Sequence, residues 1–119
     1  MALILLAEDA WLTRKMVRKL LEANGHKILE ATNGCECLEM VTVHAPDCII
    51  LDLLMPEMDG FQVLTALRQQ RPKIPAIVMT ADIQDTSRQR CFDLDAFAVI
   101  NKPLESDVLL DALQKALGW

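Results

Sequence analysis

The sequence predicts an α/β fold in which helices cover both faces of a doubly wound, five-stranded parallel sheet. Short apolar runs alternate along the chain with longer segments whose apolar residues recur at helical spacing. The apolar runs are continuous, which is typical of parallel strands buried on both faces. Right-handed crossovers then place helices on both sides of one sheet. Because the chain has 119 residues, of which 52% are hydrophobic, we expect residues 1–119 to form one domain.

Five apolar runs are predicted as strands. They span residues 3–7, 27–31, 48–51, 76–79 and 98–100. Ligands of such sheets bind at the carboxyl ends of the strands. The polar residues that follow each run are therefore the first candidates for a functional site.

The first two helices carry recognisable end signals. Apolar residues recur at four-residue spacing between residues 12 and 21, and Gly25 can supply the left-handed residue that follows a helix. Arg14 and Arg18 belong to the other, basic face, which is expected to be solvated or to meet an acidic partner helix. Asn33 with Glu36 forms a capping box for a second helix that ends near residue 43.

The sequence signals for the remaining three helices differ in strength. Apolar residues 61, 64 and 67 predict a third helix that Pro72 ends. Residues 84–92 predict a polar, weakly patterned fourth helix. Leu109 and Leu113 mark a fifth, with Ser106 as its N-cap.

Charge and composition exclude several classes of function. The net charge of −5 argues against nucleic-acid binding by this domain, because phosphates need a basic surface. No apolar run approaches the ~18–20 residues of a membrane span, and the short start MALILLA lacks the basic region of a signal peptide. Four cysteines in so apolar a chain do not suggest a disulfide framework. We expect a reduced, cytoplasmic protein that does not bind membranes.

Polar side chains gather at the predicted strand ends. Glu8 and Asp9 follow the first strand, whereas Asp52, Thr80 and Lys102 follow the third, fourth and fifth strands. Carboxylates packed together repel one another unless a cation lies among them, and oxygen ligands suit a hard ion such as Mg²⁺. A lysine and a hydroxyl can bind an anion beside that metal. This set favours phosphoryl transfer to one carboxylate.

Over essentially its whole length the sequence resembles the receiver domain of two-component response regulators, which has a flavodoxin-like (βα)5 fold. The motifs that carry the resemblance are Ala7-Glu8-Asp9, LDLLMPEMDG from Leu51 to Gly60, Met79-Thr80-Ala81 and Asn101-Lys102-Pro103. Each motif is weakly specific alone. Together, in this order and each at a strand end, they are strongly specific.

The resemblance implies a phosphorelay function. Asp52 would take a phosphoryl group from a phosphohistidine on a histidine kinase or a histidine phosphotransfer protein. Lys102 and Thr80 would contact the phosphoryl oxygens. The Mg²⁺ ligands would be Asp9, Asp52, Glu8 through water, and the backbone carbonyl of Leu54. Such a domain is not an enzyme in the usual sense, because it catalyses only its own phosphorylation and dephosphorylation and then changes its output surface. The resemblance also implies a cis peptide before Pro103.

The chain departs from the family's pattern in three places, one of which is Ala10-Trp11, where Asn-Pro often follows the acidic pair. An aromatic residue usually lies three positions before the lysine, where this chain has Val99. Phe97 lies on the same strand face if the strand begins that early. Asp95 stands near a usual glycine, and aspartate tolerates the left-handed backbone better than most residues. How phosphorylation changes the output surface is therefore open.

Two other functions are weaker interpretations. Hydrolases of the haloacid-dehalogenase type carry a second aspartate two residues after the nucleophile, where this chain has Leu54. The alternative within the family is a degenerate receiver that acts only as a protein-binding module. Such a domain is expected to lose the acids or the lysine, and this chain keeps them all. The cognate kinase, the effector, the oligomeric state and any attachment to a longer protein are left open.

Overall fold

The structure is a computed structural model that describes residues 1–70 and 72–118. Strands and helices alternate along these residues. The strands are β1 (Leu3–Ala7), β2 (Lys27–Ala31), β3 (Cys48–Asp52), β4 (Ala76–Thr80) and β5 (Ala98–Asn101). The helices are α1 (Trp11–Ala23), α2 (Gly34–His44), α3 (Gly60–Leu67), α4 (Asp85–Asp93) and α5 (Ser106–Leu117). In this part of the chain, no helix is both long and apolar enough to cross a bilayer.

All five strands are parallel, in the order β2-β1-β3-β4-β5. The chain moves outward from β1 to β2 and then returns to the other side of β1 to form β3. This reversal is a topological switch point, and it leaves a crevice above the carboxyl ends of β1 and β3. The predicted doubly wound parallel sheet is confirmed.

The sheet separates two hydrophobic cores. Neighbours in a strand face opposite sides, so Ile49 and Ile50 of β3 are both fully buried, each in a different core. The core beneath α1 and α5 contains Val17, Leu21, Leu109 and Leu113. The core beneath the other three helices contains Cys37, Val41, Val63, Leu64 and Cys91. Burial on both faces explains the apolar runs of β1, β3, β4 and β5, whereas β2 includes the exposed Lys27 and the partly buried Glu30.

The start of α2 and the turn after α1 follow their sequence signals closely. Gly25 has a φ of +86° directly after α1, as predicted. The Asn33 side chain accepts the Glu36 backbone N–H at 2.8 Å. The Glu36 carboxylate, however, accepts the N–H of Thr32 and not that of Asn33. The predicted capping box is therefore only half formed, and its second bond is shifted by one residue.

Two predicted helix ends are wrong. α5 begins at Ser106 itself, because Glu105 takes the extended backbone of the N-cap and its carbonyl accepts the Leu109 N–H at 3.1 Å. α3 ends at Leu67 and does not continue toward Pro72. The N–H of residue 70 binds the Leu67 carbonyl three residues back, so a tighter 3₁₀-type turn closes the helix first.

Two backbone features expected near β5 are present. Asp95 has a φ of +68°, so aspartate does occupy the left-handed turn where the family usually has a glycine nearby. Its carboxylate accepts from Arg68 at 3.1 Å and from Lys73 at 3.4 Å. The Lys102-Pro103 peptide is cis. Phe97 precedes β5 and is 45% exposed, whereas Val99 is buried.

We expect Gly34→Ala to destabilise the fold by about 3 kcal/mol, because a methyl group has no room there. A Cβ on Gly34 would lie 2.8 Å from Val63 Cγ2 and would meet the Met58 carbonyl oxygen. Urea unfolding measures the change. Cys35→Ala, at the next and exposed position, is the control, with an expected change under about 0.5 kcal/mol. Equal stability of the two variants would contradict this packing argument.

Candidate functional site

Four of the predicted site residues lie at the carboxyl edge of the sheet. Ala7 pairs with Leu51, so Glu8 and Asp52 each follow a paired position of neighbouring strands. Thr80 ends β4 and pairs with Asn101 of β5, which places Lys102 one residue beyond. The backbone N–H of Lys102 donates to the Thr80 carbonyl at 2.8 Å. Side chains far apart in sequence therefore share one crevice.

Lys102 joins the two buried carboxylates of this crevice. Its Nζ lies 3.3 Å and 3.2 Å from the Oε1 and Oε2 atoms of Glu8, and 3.4 Å from Asp52 Oδ2. Glu8 is fully buried and Asp52 is 6% exposed. Within the described residues, no buried side-chain nitrogen or oxygen lacks a hydrogen-bond partner. Lys102 thus supplies the positive charge that buried carboxylates require.

The Glu8 carboxyl has an unfavourable environment despite this pairing. Burial raises its pKa above the ordinary value, and the nearby Asp52 charge raises it further. Lys102 and the Ala10 N–H lower it again, but the net direction is upward. Lys102 therefore does not fully offset the burial of the Glu8 carboxylate and its repulsion by Asp52. Additional positive charge in the crevice would stabilise the ionised carboxylates there.

The loop after Asp52 has a fixed shape. The Leu54 backbone N–H donates to Asp52 Oδ1 at 3.3 Å, and the Leu54 side chain is 72% exposed. Glu57 adopts a left-handed backbone with a φ of +67°. Asp59 then caps α3 in a complete capping box with Gln62. These contacts hold Asp52 at the rim of the crevice.

Thr80 is linked to α4 by a chain of hydrogen bonds. Its buried hydroxyl accepts the Asp82 N–H at 2.9 Å. The Asp82 carboxylate accepts from the Gln84 N–H at 2.9 Å and from the Ser87 hydroxyl. These bonds lower the Asp82 pKa, with the Ser87 bond as the largest cause. The position of the Thr80 hydroxyl is therefore coupled to the first turn of α4.

The predicted metal ligands are only partly assembled. The Asp9 side chain is exposed, and among the described residues no group of three His, Cys, Asp or Glu side chains is arranged to hold a metal ion. Lys102 Nζ instead contacts both Glu8 and Asp52. The donor set still suits Mg²⁺, since three carboxylates and one ammonium leave an excess of negative charge and offer only oxygen ligands. The residues therefore fit a hard divalent cation once the Asp9 side chain turns inward.

Sequence reasoning missed one residue beside this crevice. Helical spacing predicts that Arg14 belongs to a solvated or partner-facing basic face of the first helix. Its side chain is only 13% exposed, and its Nη1 lies 3.0 Å from the Glu8 carbonyl oxygen. The sequence does contain a signal for this contact. Arg14 lies four residues after Ala10, the N-cap of α1, so its side chain is one helical turn from the loop that precedes α1.

A doubly wound sheet with an acidic crevice at its switch point, closed by the lysine that follows the last strand, defines a class of α/β signalling domains. The chain belongs to the response regulator receiver domain family, whose model matches residues 4–114. Receivers are signalling domains of two-component systems and not enzymes in the usual sense. Response regulators receive phosphate from histidine kinases, and receiver domains generally bind Mg²⁺ at the phosphorylation site.

Individual relatives agree with this assignment. The transcriptional regulatory protein SrrA of Staphylococcus aureus is 39% identical over 100 residues, which cover 84% of this chain and 41% of that protein. The chain thus spans about two fifths of the length of the curated relatives it matches.

Solved structures share the flavodoxin-like receiver fold over nearly the whole chain. One is the signal receiver domain of a histidine kinase from Syntrophus aciditrophicus, with a TM-score of 0.91, 30% identity, and coverage of 99% of this chain and 91% of that one. Another is the chemotaxis protein CheY4 of Vibrio cholerae, with a TM-score of 0.90, 29% identity, and coverage of 98% and 99%. Similar receivers therefore occur both in a histidine kinase and in a chemotaxis protein.

Proposed function

We propose that this receiver takes a phosphoryl group onto Asp52 from a phosphohistidine of a histidine kinase or a histidine phosphotransfer protein. The observation that carries the proposal is the contact of Lys102 Nζ with Asp52 Oδ2, at 3.4 Å, in the crevice above the sheet. A carboxylate oxygen of Asp52 attacks phosphorus as the P–N bond breaks. The electron pair of that bond stays on the imidazole nitrogen, and an acyl phosphate remains on Asp52.

The neighbouring side chains have complementary roles in this proposal. The Lys102 ammonium would leave Glu8 in part and pair with a phosphoryl oxygen, while the Thr80 hydroxyl would donate to another. Mg²⁺ would be held by Asp9, Asp52, Glu8 through water, and the Leu54 carbonyl. When bound, the ion would neutralise the carboxylates and the phosphoryl oxygens. The excess of buried negative charge around Glu8 supports this assignment.

The setting of the reaction is also part of the proposal. We place it in the cytoplasm, within one domain formed by residues 1–119. Cys37, Cys48 and Cys91 are free and buried, as a reduced protein would have them. We propose no contact with nucleic acid or membrane by this domain, because the chain carries a net charge of −5.

Labelling with acetyl phosphate tests the proposal. The wild-type chain is expected to gain the mass of one phosphoryl group in the presence of Mg²⁺ and none in EDTA. The adduct should be stable in acid and labile in base, as an acyl phosphate is. Absence of labelling with Mg²⁺ and every candidate phosphodonor would instead favour the degenerate receiver that acts only as a protein-binding module.

We expect activation to alter α4 more than β5. Val99 is short and β-branched, so it has few rotamers and cannot swing as a larger aromatic side chain can. The Thr80 hydroxyl, in contrast, reaches α4 through Asp82 and Ser87. α4 buries only Cys91 among its residues, all of which the structure describes, so it can loosen at low cost.

Amide exchange with and without beryllofluoride measures this change. Large differences are expected at residues 52–58 and 80–92, and small ones at 97–100. A change in the burial of Phe97 or Val99, with α4 unchanged, would show that β5 has kept the switching role.

A further inference from the structure

The loop between β1 and α1 carries Glu8 and Asp9. The Glu8 N–H donates to the Ala31 carbonyl at 3.0 Å, but few contacts fix the residues that follow it. Asp9 and Ala10 are exposed. Ala10 stands at the N-cap of α1 and provides no side-chain hydrogen bond there. The Ala10 N–H donates to Glu8 Oε1 at 3.2 Å, but this contact uses the very carboxylate that the site needs. The loop therefore depends on residues outside it for a defined conformation.

Arg14 supplies that outside support. Its Nη1 donates to the Glu8 carbonyl at 3.0 Å and lies 3.4 Å from the Asp9 carbonyl. One guanidinium nitrogen thus contacts the backbone carbonyls of both candidate metal ligands. Because a carbonyl's direction sets the orientation of its peptide plane, this contact restricts where the Glu8 and Asp9 side chains can point.

Arg14 is itself held in place from the neighbouring strand. Its Nε donates to Glu30 Oε1 of β2 at 3.1 Å. Glu30 also pairs with Arg18 and, at 3.8 Å, with Lys15. The Arg14 side chain is 13% exposed, far less than is usual for an arginine on a helix surface. The guanidinium is therefore clamped between β2 and the loop.

We infer that Arg14 is a positioning residue for the metal-binding loop: it fixes the backbone of Glu8 and Asp9 so that their carboxylates meet Mg²⁺ at a set spacing. This inference rests on the proposed function. Within the described residues, no hydrogen bond or ion pair joins Arg14 to Asp52, so its effect falls on cation affinity. Partners that orient metal ligands typically contribute 10–100-fold to affinity.

Simple electrostatics predicts the opposite sign. Removal of a positive charge close to a cation site strengthens cation binding by Coulomb's law. If Arg14 acted only through its charge, Arg14→Ala would bind Mg²⁺ more tightly than the wild type. Weaker binding in that variant is therefore specific to the positioning role.

The chain contains a matched control for this test. Arg18 lies one turn further along α1 and also pairs with Glu30, but its other ion pair is with Glu22 and not with the loop. Arg14→Ala and Arg18→Ala remove the same charge from the same helix and the same glutamate. They differ in the contact with the Glu8 and Asp9 carbonyls.

Two titrations with Mg²⁺ are compared across the variants: the rise in melting temperature, and the rate of acetyl phosphate labelling. Arg14→Ala should require about tenfold more Mg²⁺ for half of the full effect in both. Its labelling rate at saturating Mg²⁺ should stay within about twofold of the wild type. Arg18→Ala should follow the wild type in both titrations.

Arg14→Lys provides a second variant with little risk to folding. A lysine can reach one carbonyl or Glu30 but not bridge them as the guanidinium fork does, so an intermediate shift is expected. Equal Mg²⁺ requirements for Arg14→Ala and Arg18→Ala, or tighter binding by Arg14→Ala, would overturn the inference. If the wild-type melting temperature rises with Mg²⁺ but Asp52 is not labelled, the proposed function fails while the Arg14 result still decides the positioning role. A wild type that does not respond to Mg²⁺ at all overturns both.

Discussion

Asp52→Asn is expected to abolish the labelling of this chain by acetyl phosphate, with a loss of at least about 100-fold in rate. The amide is nearly the same size as the carboxylate but lacks its nucleophilic, charged oxygen. Wild type and variant are incubated with Mg²⁺ and compared by intact mass. The Leu54 N–H that donates to Asp52 Oδ1 at 3.3 Å can still find the amide oxygen, so the loop should keep its shape.

Asp59→Asn is the matched control for this substitution. It makes the same change in the same loop, at a residue that caps α3 through Gln62. Asparagine is as good an N-cap as aspartate, so the fold and the labelling should both be retained. Undiminished labelling of Asp52→Asn would refute Asp52 as the acceptor and direct attention to Glu8 or Asp9.

Lys102→Met is expected to lower the free energy of unfolding at neutral pH by about 2–3 kcal/mol in the absence of metal. Removal of one partner from a buried ion pair leaves an uncompensated buried charge, and such changes typically cost 3–5 kcal/mol. We expect a smaller cost than this because the Lys102 side chain is 22% exposed, so water already screens part of its interaction with the fully buried Glu8. Urea unfolding in metal-free buffer measures the change.

The pH dependence of this loss follows from Glu8. Its pKa is raised in the folded state, chiefly by burial, so the folded protein holds this proton more tightly than the unfolded chain does. Ionised Glu8 therefore destabilises the fold at neutral pH, and that effect fades as the pH falls through the raised pKa toward 4.5. Without Lys102, ionised Glu8 destabilises the fold more strongly. The difference in free energy of unfolding between Lys102→Met and the wild type should therefore become smaller as the pH falls.

A double variant and a control sharpen this prediction. Glu8→Gln removes the unpaired charge, so Lys102→Met combined with Glu8→Gln should recover most of the lost stability. Lys115→Met breaks an exposed pair with Asp111 on α5, and it should cost under about 0.5 kcal/mol. A Lys102→Met deficit that is independent of pH, or that Glu8→Gln does not relieve, would show that packing of the lysine stem matters more than its charge.

The sheet and the residues at its edge were predictable because β1, β3, β4 and β5 are apolar runs that stop at a polar residue. Asp52 and Thr80 prove to be the last residues of β3 and β4, one position beyond the predicted runs. Ligands of such sheets bind at the carboxyl ends of the strands, and this rule alone predicted that Glu8, Asp52 and Lys102 lie in one crevice. These inferences needed only periodicity and strand direction.

The contacts around the crevice were not predictable in the same way. Arg14 was assigned to a solvated or partner-facing surface because helical periodicity shows which way a residue points but not how far a long side chain folds back. The hydrogen bonds from Thr80 through Asp82 to Ser87 depend on the conformation of a loop that carries no strong turn signal. The pairing of Lys102 with Glu8, which are separated by 94 residues, needs three-dimensional coordinates.

That separation links the crevice to how the chain folds. Glu8 comes from the first strand, Asp52 from the middle of the chain and Lys102 from beyond the last strand, with separations of 94 and 50 residues for the two lysine contacts. Contacts of such high sequence separation form late, because closing long loops costs entropy before the contacts repay it. A chain in which β1 and β3 have paired but β5 has not docked therefore holds the Glu8 and Asp52 carboxylates close together without the ammonium that pairs with them. Only the molecule whose β5 has docked against β4 brings the ammonium to both acids.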